Sequence, residues 1–76
     1  MTRKQELFNL YTQNKSKMGD KKFGIELKIH MPDDEIETIY NPNAHNKMKY
    51  INSVYNDNLV HQNSEQIYIV GAKFVV

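Results

Sequence analysis

Three histidines are the first residues of this chain whose chemistry could define a site. His30, His45 and His61 are separated by 15 and 16 residues, and this wide spacing matches no metal-binding pattern. A zinc site would need the three to converge in space and to gain a carboxylate. We expect three separate surface histidines, no metal site and no other cofactor.

Acidic residues gather in a short stretch after Pro32. The four carboxylates are Asp33, Asp34, Glu35 and Glu37. Clustered oxygens suit divalent ions, but consecutive residues of a strand point in opposite directions, and no loop of alternating ligands surrounds these. The stretch is interpreted either as a solvated turn or as an acidic contact surface for a basic partner.

Basic residues concentrate at the start of the chain. Residues 1–22 carry a net charge of +4, whereas residues 23–46 carry −4. The lysines that could contact phosphates are Lys15, Lys17, Lys21 and Lys22, with Arg3 and Lys4 nearby. Lysines bind nucleic acid without reading its sequence. The other interpretation is a solvated helix end, because cations stabilise the C-terminus of a helix.

Residues typical of enzymes are scarce. The chain has no cysteine and three glycines, so it lacks a thiol nucleophile and a glycine-rich phosphate loop. Ser53 and His61 have no third partner and no nucleophile elbow. A chain of 76 residues also builds only a thin core. We therefore expect no catalytic residues and no enzymatic activity.

Capping chemistry and spacing predict a first helix over residues 3–18. Thr2 and Gln5 have the form of a capping box, and Gly19 suits a helix end. Apolar residues recur at near-helical spacing, with Asn14 as a polar break. They are Leu7, Leu10, Tyr11 and Met18.

Strict alternation predicts a strand from Phe23 to Met31 with one buried face. Pro32, Asp33 and Asp34 are typical turn residues, so a second strand at 35–40 completes a hairpin. One face of that strand carries Ile36, Thr38 and Tyr40, and the tyrosines Tyr11, Tyr40, Tyr50 and Tyr55 are mostly expected on core faces.

A second helix and a third strand follow. Asn41 is expected to cap the helix, with Pro42 at its first position. Its apolar stripe is Ala44, Met48, Ile51, Tyr55 and Leu59. Residues 61–65 form a loop, and 67–76 is a strand in which Gly71 indicates a bulge.

These elements predict a single α+β domain over residues 1–76. The order is α-β-β-α-β, with a three-stranded, mainly antiparallel sheet of strand order 2-1-3 packed on two helices. If both helices cover one face, the other face exposes Glu26, Lys28 and His30, and could add Ile67, Ile69 and Val75 as an apolar patch. The alternative is that the first helix packs there and hides them.

Composition adds a resemblance. Phe, Tyr, Met, Ile, Asn and Lys supply 37 of 76 residues, which is typical of an A/T-rich genome. Together with the charged start and the segments 52–60 and 67–71, this resembles small accessory proteins of phages and prophages of A/T-rich bacteria. The resemblance implies a protein that binds a host machine, such as a defence, replication or transcription factor. It assigns no functional residue.

The sequence therefore favours a non-catalytic, phage-type protein that binds and modulates a host or phage protein. The expected contacts are Glu26, Lys28, His30, Asp33, Asp34, Glu35 and Glu37. The alternative is sequence-nonspecific nucleic-acid binding through Lys15, Lys17, Lys21 and Lys22. A homodimer could form through the edge strand 66–76. The lack of cysteine and of an apolar run of about 20 residues favours the host cytoplasm.

Overall fold

A computed structural model describes all residues from 1 to 76. The elements are helix α1 (Arg3–Met18), strand β1 (Gly24–His30), strand β2 (Ile36–Asn41), helix α2 (Ala44–Val54) and strand β3 (Tyr68–Val75). The strands form one antiparallel sheet in the order β2-β1-β3. The predicted α+β class and strand order are confirmed.

The alternation along β1 decides where the core lies. Ile25, Leu27 and Ile29 are at most 4% exposed, and they share one cluster with residues of both helices, including Leu7 and Met48. Both helices therefore cover the same side of the sheet, called the helix face below. The opposite side of the sheet is called the open face below. The alternative prediction, in which the first helix packs on that side and hides it, is wrong.

Helix α1 begins as its sequence predicts but turns a different stripe inward. Both hydrogen bonds of the Thr2–Gln5 capping box are present. Leu10 is 53% exposed, whereas Asn14 is partly buried with no partner for its Nδ2. The inward stripe thus includes Asn14 and omits Leu10, because steps of four and three residues from Leu7 lead to Tyr11 and then Asn14.

Replacing Asn14 by leucine should raise the free energy of unfolding by about 1 kcal/mol, because a buried amide donor without a partner is costly. Urea denaturation followed by circular dichroism measures the change. Asn9→Leu is the matched control, since it makes the same exchange at an exposed position of α1. Equal effects of the two variants would show that helix propensity, and not the buried amide, governs the gain.

Helix α2 starts later and ends earlier than predicted. Asn43 is the N-cap, accepting from the Asn46 amide, while Asn41 accepts from the Asn43 amide. The helix ends at Val54 because the Asn56 side chain accepts from the amides of residues 58 and 60 and forms a local turn. Tyr55 and Leu59 are still buried, but from non-helical backbone.

Strand β3 contains the bulge that Gly71 indicates. Lys28 pairs with Gly71, but Ile29 pairs with Ile69, so Val70 is the extra residue. The bulge inverts the alternation. Ile69 lies on the helix face and is 1% exposed, and Ile67 also packs against the core, whereas Val75 pairs with Gly24 on the open face. The prediction that Ile67, Ile69 and Val75 form an apolar patch on the open face is therefore wrong.

Candidate functional site

The open face of the sheet is the first candidate site. Residues directly opposite each other in an antiparallel sheet share a face, so the pairs of Glu26 with Tyr40 and Lys73, and of Lys28 with Thr38, lie there. No helix covers it. The exposed members of this face and its bulge are Lys28, Ile36, Thr38, Tyr40, Val70 and Lys73.

The Tyr40 side chain lies across Gly24 of the neighbouring strand β1. A Cβ added to Gly24 would lie 2.7 Å from the Tyr40 hydroxyl oxygen and 2.8 Å from its Cε1. The ring therefore occupies the space that a side chain at position 24 would fill, and the tyrosine remains 56% exposed. The expectation that Tyr40 belongs to the core is wrong, as it is for Tyr50, which is 46% exposed. A glycine inside a strand was the available signal of a close approach.

His30 acts as a connector between three segments. Its Nδ1 lies 2.8 Å from the Gln66 carbonyl oxygen, and its Nε2 lies 3.2 Å from Asp34 Oδ1. Its ring stacks on Tyr68 with centroids 4.4 Å apart. Both acceptors are satisfied together only when both ring nitrogens carry protons. With its side chain 17% exposed, His30 offers little area to a partner and instead ties the hairpin tip to the start of β3.

The four carboxylates at the hairpin tip do not form one cluster. Asp33 accepts from the Glu35 amide, and Asp34 pairs with His30. Glu37 pairs with Ile29, so its side chain lies on the helix face, opposite to Glu26 and Lys28. All four are exposed, and only Asp34 has a basic side chain within 4 Å, the His30 ring. The tip therefore carries mostly uncompensated negative charge at the end of the open face.

The outer edge of β3 is closed along its first part. The Ile69 amide donates to the Leu59 carbonyl, and Arg3 Nη2 donates to the Ile69 carbonyl, both at 3.0 Å. Tyr68 also forms a bridge with Val60. A second chain could therefore pair only with the part of 66–76 that follows the bulge.

A concave pocket at the end of α1 is the second candidate site, called the basic pocket below. Its volume is about 410 Å³. It brings together three of the four sequence-predicted lysines, Lys15, Lys21 and Lys22, while Lys17 lies outside it. Tyr11 and His45 also line the pocket. They are 34 positions apart in the chain, and the Tyr11 hydroxyl oxygen lies 3.0 Å from His45 Nδ1, at hydrogen-bond distance. Local patterns give no signal for such a distant pair.

Two other basic residues are occupied elsewhere. Lys4 Nζ donates to the carbonyl oxygens of Asn52 and Tyr55, both at 2.8 Å, and Arg3 donates to Ile69. Both side chains therefore satisfy the backbone near the end of α2 and along β3. They join α1 to the rest of the fold and add nothing to the basic pocket.

The three histidines have separate partners. His30 contacts Gln66 and Asp34, His45 contacts Tyr11, and His61 Nδ1 accepts from the Asn63 amide. No three side chains of the types that bind metals come close enough to hold an ion.

Tyr55 belongs to the core and to neither candidate site. Burial raises the pKa of the Tyr55 phenol, and the neighbouring Tyr50 adds to the effect. Its ring also packs edge-on against His61. The phenol therefore stays neutral well beyond neutral pH and serves as a packed side chain.

Neither helix has the length and apolar composition needed to cross a bilayer. Comparison with protein-family models finds no match. Comparisons with curated proteins and with solved structures find none either. The assignment of function therefore depends on the two surfaces described above.

Proposed function

We propose that this chain is a non-catalytic interaction protein of phage type, which binds and modulates a host or phage protein in the cytoplasm of the host cell. Inhibition of a host defence, replication or transcription factor is one form that this function can take. The observation that carries the proposal is the open face of the sheet, which no helix covers and on which Tyr40 stands exposed between charged neighbours.

The composition of the open face suits a protein partner. Exposed tyrosine supplies a large apolar surface at low entropic cost, and such residues often dominate binding energy. Glu26 lies directly opposite Lys73 in the sheet, but neither of these residues nor Lys28 forms a salt bridge within 4 Å; the one contact of that kind in the molecule joins His30 and Asp34. Unpaired charges around an aromatic residue favour complementary charges on a partner, which contribute specificity and faster association.

The size of the open face indicates that the hairpin tip takes part. Three strands about 4.8 Å apart and about seven residues long present a flat area of roughly 300 Å². A stable interface buries about 800 Å² on each partner. A partner must therefore extend onto neighbouring surface, and the acidic tip, with Asp33, Asp34 and Glu35, adjoins the face. This extension favours a partner with basic residues at its rim.

The two other candidate functions have weaker support. Self-association through 66–76 has only the end of that edge available, because Leu59 and Arg3 occupy the backbone groups of Ile69. Of the four lysines predicted to bind nucleic acid, Lys17 lies outside the basic pocket that the other three border. The three remaining lysines converge on a pocket, a shape that suits a compact anion better than a polymer.

Affinity capture from host lysate tests the protein-binding function. We expect wild type to retain a specific protein, and the double variant Tyr40→Ala/Lys28→Glu, which removes the aromatic residue and reverses a charge of the open face, to retain at most about a tenth as much. Asp33→Lys/Asp34→Lys should weaken capture as well, because it reverses the charge of the tip.

Lys49→Glu is the matched control, since it makes the same charge change at an exposed position of α2. It should capture as wild type does. Recovery of the same proteins by wild type and the double variant, or of none above background by wild type, would contradict the proposal. Circular dichroism of each variant confirms that the fold is retained.

A further inference from the structure

The basic pocket lies where the end of α1, the segment 19–22 and the start of α2 meet. Its cationic side chains are Lys15, Lys21 and Lys22, and one carboxylate, Asp20, also lines it. None of these lysines has a carboxylate oxygen within 4 Å of its ammonium nitrogen. The pocket thus presents three cations and one anion with no internal pairing.

Like charges in a concave site raise the local potential and attract counter-ions. Here Lys15, Lys21 and Lys22 all border one cavity. Lysine ammonium groups are common ligands of phosphate, acting as point charges. The charge and shape together favour an anion seated in the pocket.

Two further side chains add directed contacts. The Tyr11 hydroxyl and His45 Nδ1 are hydrogen-bonded, which leaves Nε2 as the ring nitrogen available to a ligand. Phe23 also lines the pocket, with its ring centroid 5.8 Å from that of Tyr11. An aromatic wall beside three lysines suits a ligand with a charged end and a planar body.

We propose that the basic pocket binds a small phosphorylated molecule of nucleotide size. The volume of about 410 Å³ falls within the range of small-molecule sites, about 300–1,000 Å³. A nucleic-acid strand needs cations along a track, but Lys17 lies outside the pocket, and Arg3 and Lys4 are held by backbone carbonyls. This site is independent of the open face and of the protein partner proposed there.

Titration of the ¹⁵N-labelled full chain with ADP, pyrophosphate, adenosine and a short oligothymidylate tests the site. ADP and pyrophosphate should give saturable shifts at the amides of Lys21, Lys22 and His45, with ADP binding more tightly. Adenosine, which lacks phosphate, should give none. Lys21→Gln/Lys22→Gln should weaken ADP binding about tenfold or more, because it removes two charge-assisted contacts.

Lys17→Gln/Lys49→Gln is the matched control, since it removes the same charge from exposed positions outside the pocket and should leave ADP affinity within about twofold of wild type. Equal weakening by the two double variants would overturn the proposal, because it would indicate screening by net charge alone. The absence of saturable shifts at millimolar ADP would also overturn it. Tighter binding of the oligonucleotide, with shifts extending beyond the pocket, would replace it with a nucleic-acid surface.

Discussion

Leu27→Ala should lower the free energy of unfolding by about 3 kcal/mol, the cost of removing a large buried side chain and leaving a cavity. Leu27 is 1% exposed and lies at the middle of the central strand, between Ile39 and Ala72. A chain of this length has a total stability of roughly 4–11 kcal/mol. The substitution should therefore remove a large share of it, as measured by urea denaturation.

The adjacent residue provides the control for this result. Lys28 is exposed on the open face, so Lys28→Ala should change the free energy of unfolding by about 0.5 kcal/mol or less. The contrast between neighbours tests the alternation of β1 directly. Similar losses at both positions would mean that the odd-numbered side chains of β1 do not form the core, and the open face would lose its basis.

Gly24→Ala should lower the free energy of unfolding by about 2 kcal/mol, within the usual range for overpacking. The added Cβ would lie 2.9 Å from the Asn41 carbonyl oxygen as well as against the ring of Tyr40. The ring can move, but Asn41 belongs to the β1–β2 ladder opposite Ile25, so the strands must separate locally. Thermal unfolding followed by circular dichroism measures the loss.

Gly71→Ala is the matched control, because it adds the same methyl group to another strand glycine. There the nearest atom is the Lys28 Cβ at 3.9 Å, an ordinary contact. Its effect should be a small gain, up to about 1 kcal/mol, because alanine restricts the unfolded chain more than glycine does. A loss at Gly71 as large as that at Gly24 would show that the close approach of Tyr40 is not the cause.

A double variant tests the arrangement of the open face. Gly24→Ala combined with Tyr40→Ala should cost less than the sum of the two single changes, because Tyr40 supplies two of the three close contacts. Such non-additivity is expected of residues in direct contact. Additive effects would place the ring away from Gly24 and would remove Tyr40 as the centre of the proposed protein-binding surface.

The two proposed sites differ in what formed them. The open face results from an amphipathic strand with both helices on one side, so Glu26, Lys28 and Tyr40 lie together through sheet register. The basic pocket results from the meeting of two helix ends, which joins Lys15 to His45 across 30 positions of the chain. One surface can be altered without the other, so the tests of the two proposals are separable.

The sequence alone determined the elements and their order. Alternation from Phe23 to Met31 decides that β1 is a strand with one buried face, because side chains of a strand repeat every two residues. The capping box at Thr2 and Gln5 decides where α1 begins, because it satisfies amides that the helix leaves free. A right-handed crossover from β2 through α2 to β3 then places β3 beside β1, which gives the order β2-β1-β3.

Only the tertiary structure decided which side chains reach the surface and which meet. A single extra residue at Val70 inverts the alternation of β3, so Ile69 and Val75, of equal parity, lie on opposite faces. Periodicity relates residues within one strand, but it does not say which face of the sheet the helices cover. For this reason the sequence pattern could not show that Tyr40 lies outside the core. Distant residues such as Tyr11 and His45 come together through the packing of whole elements, which no local spacing encodes.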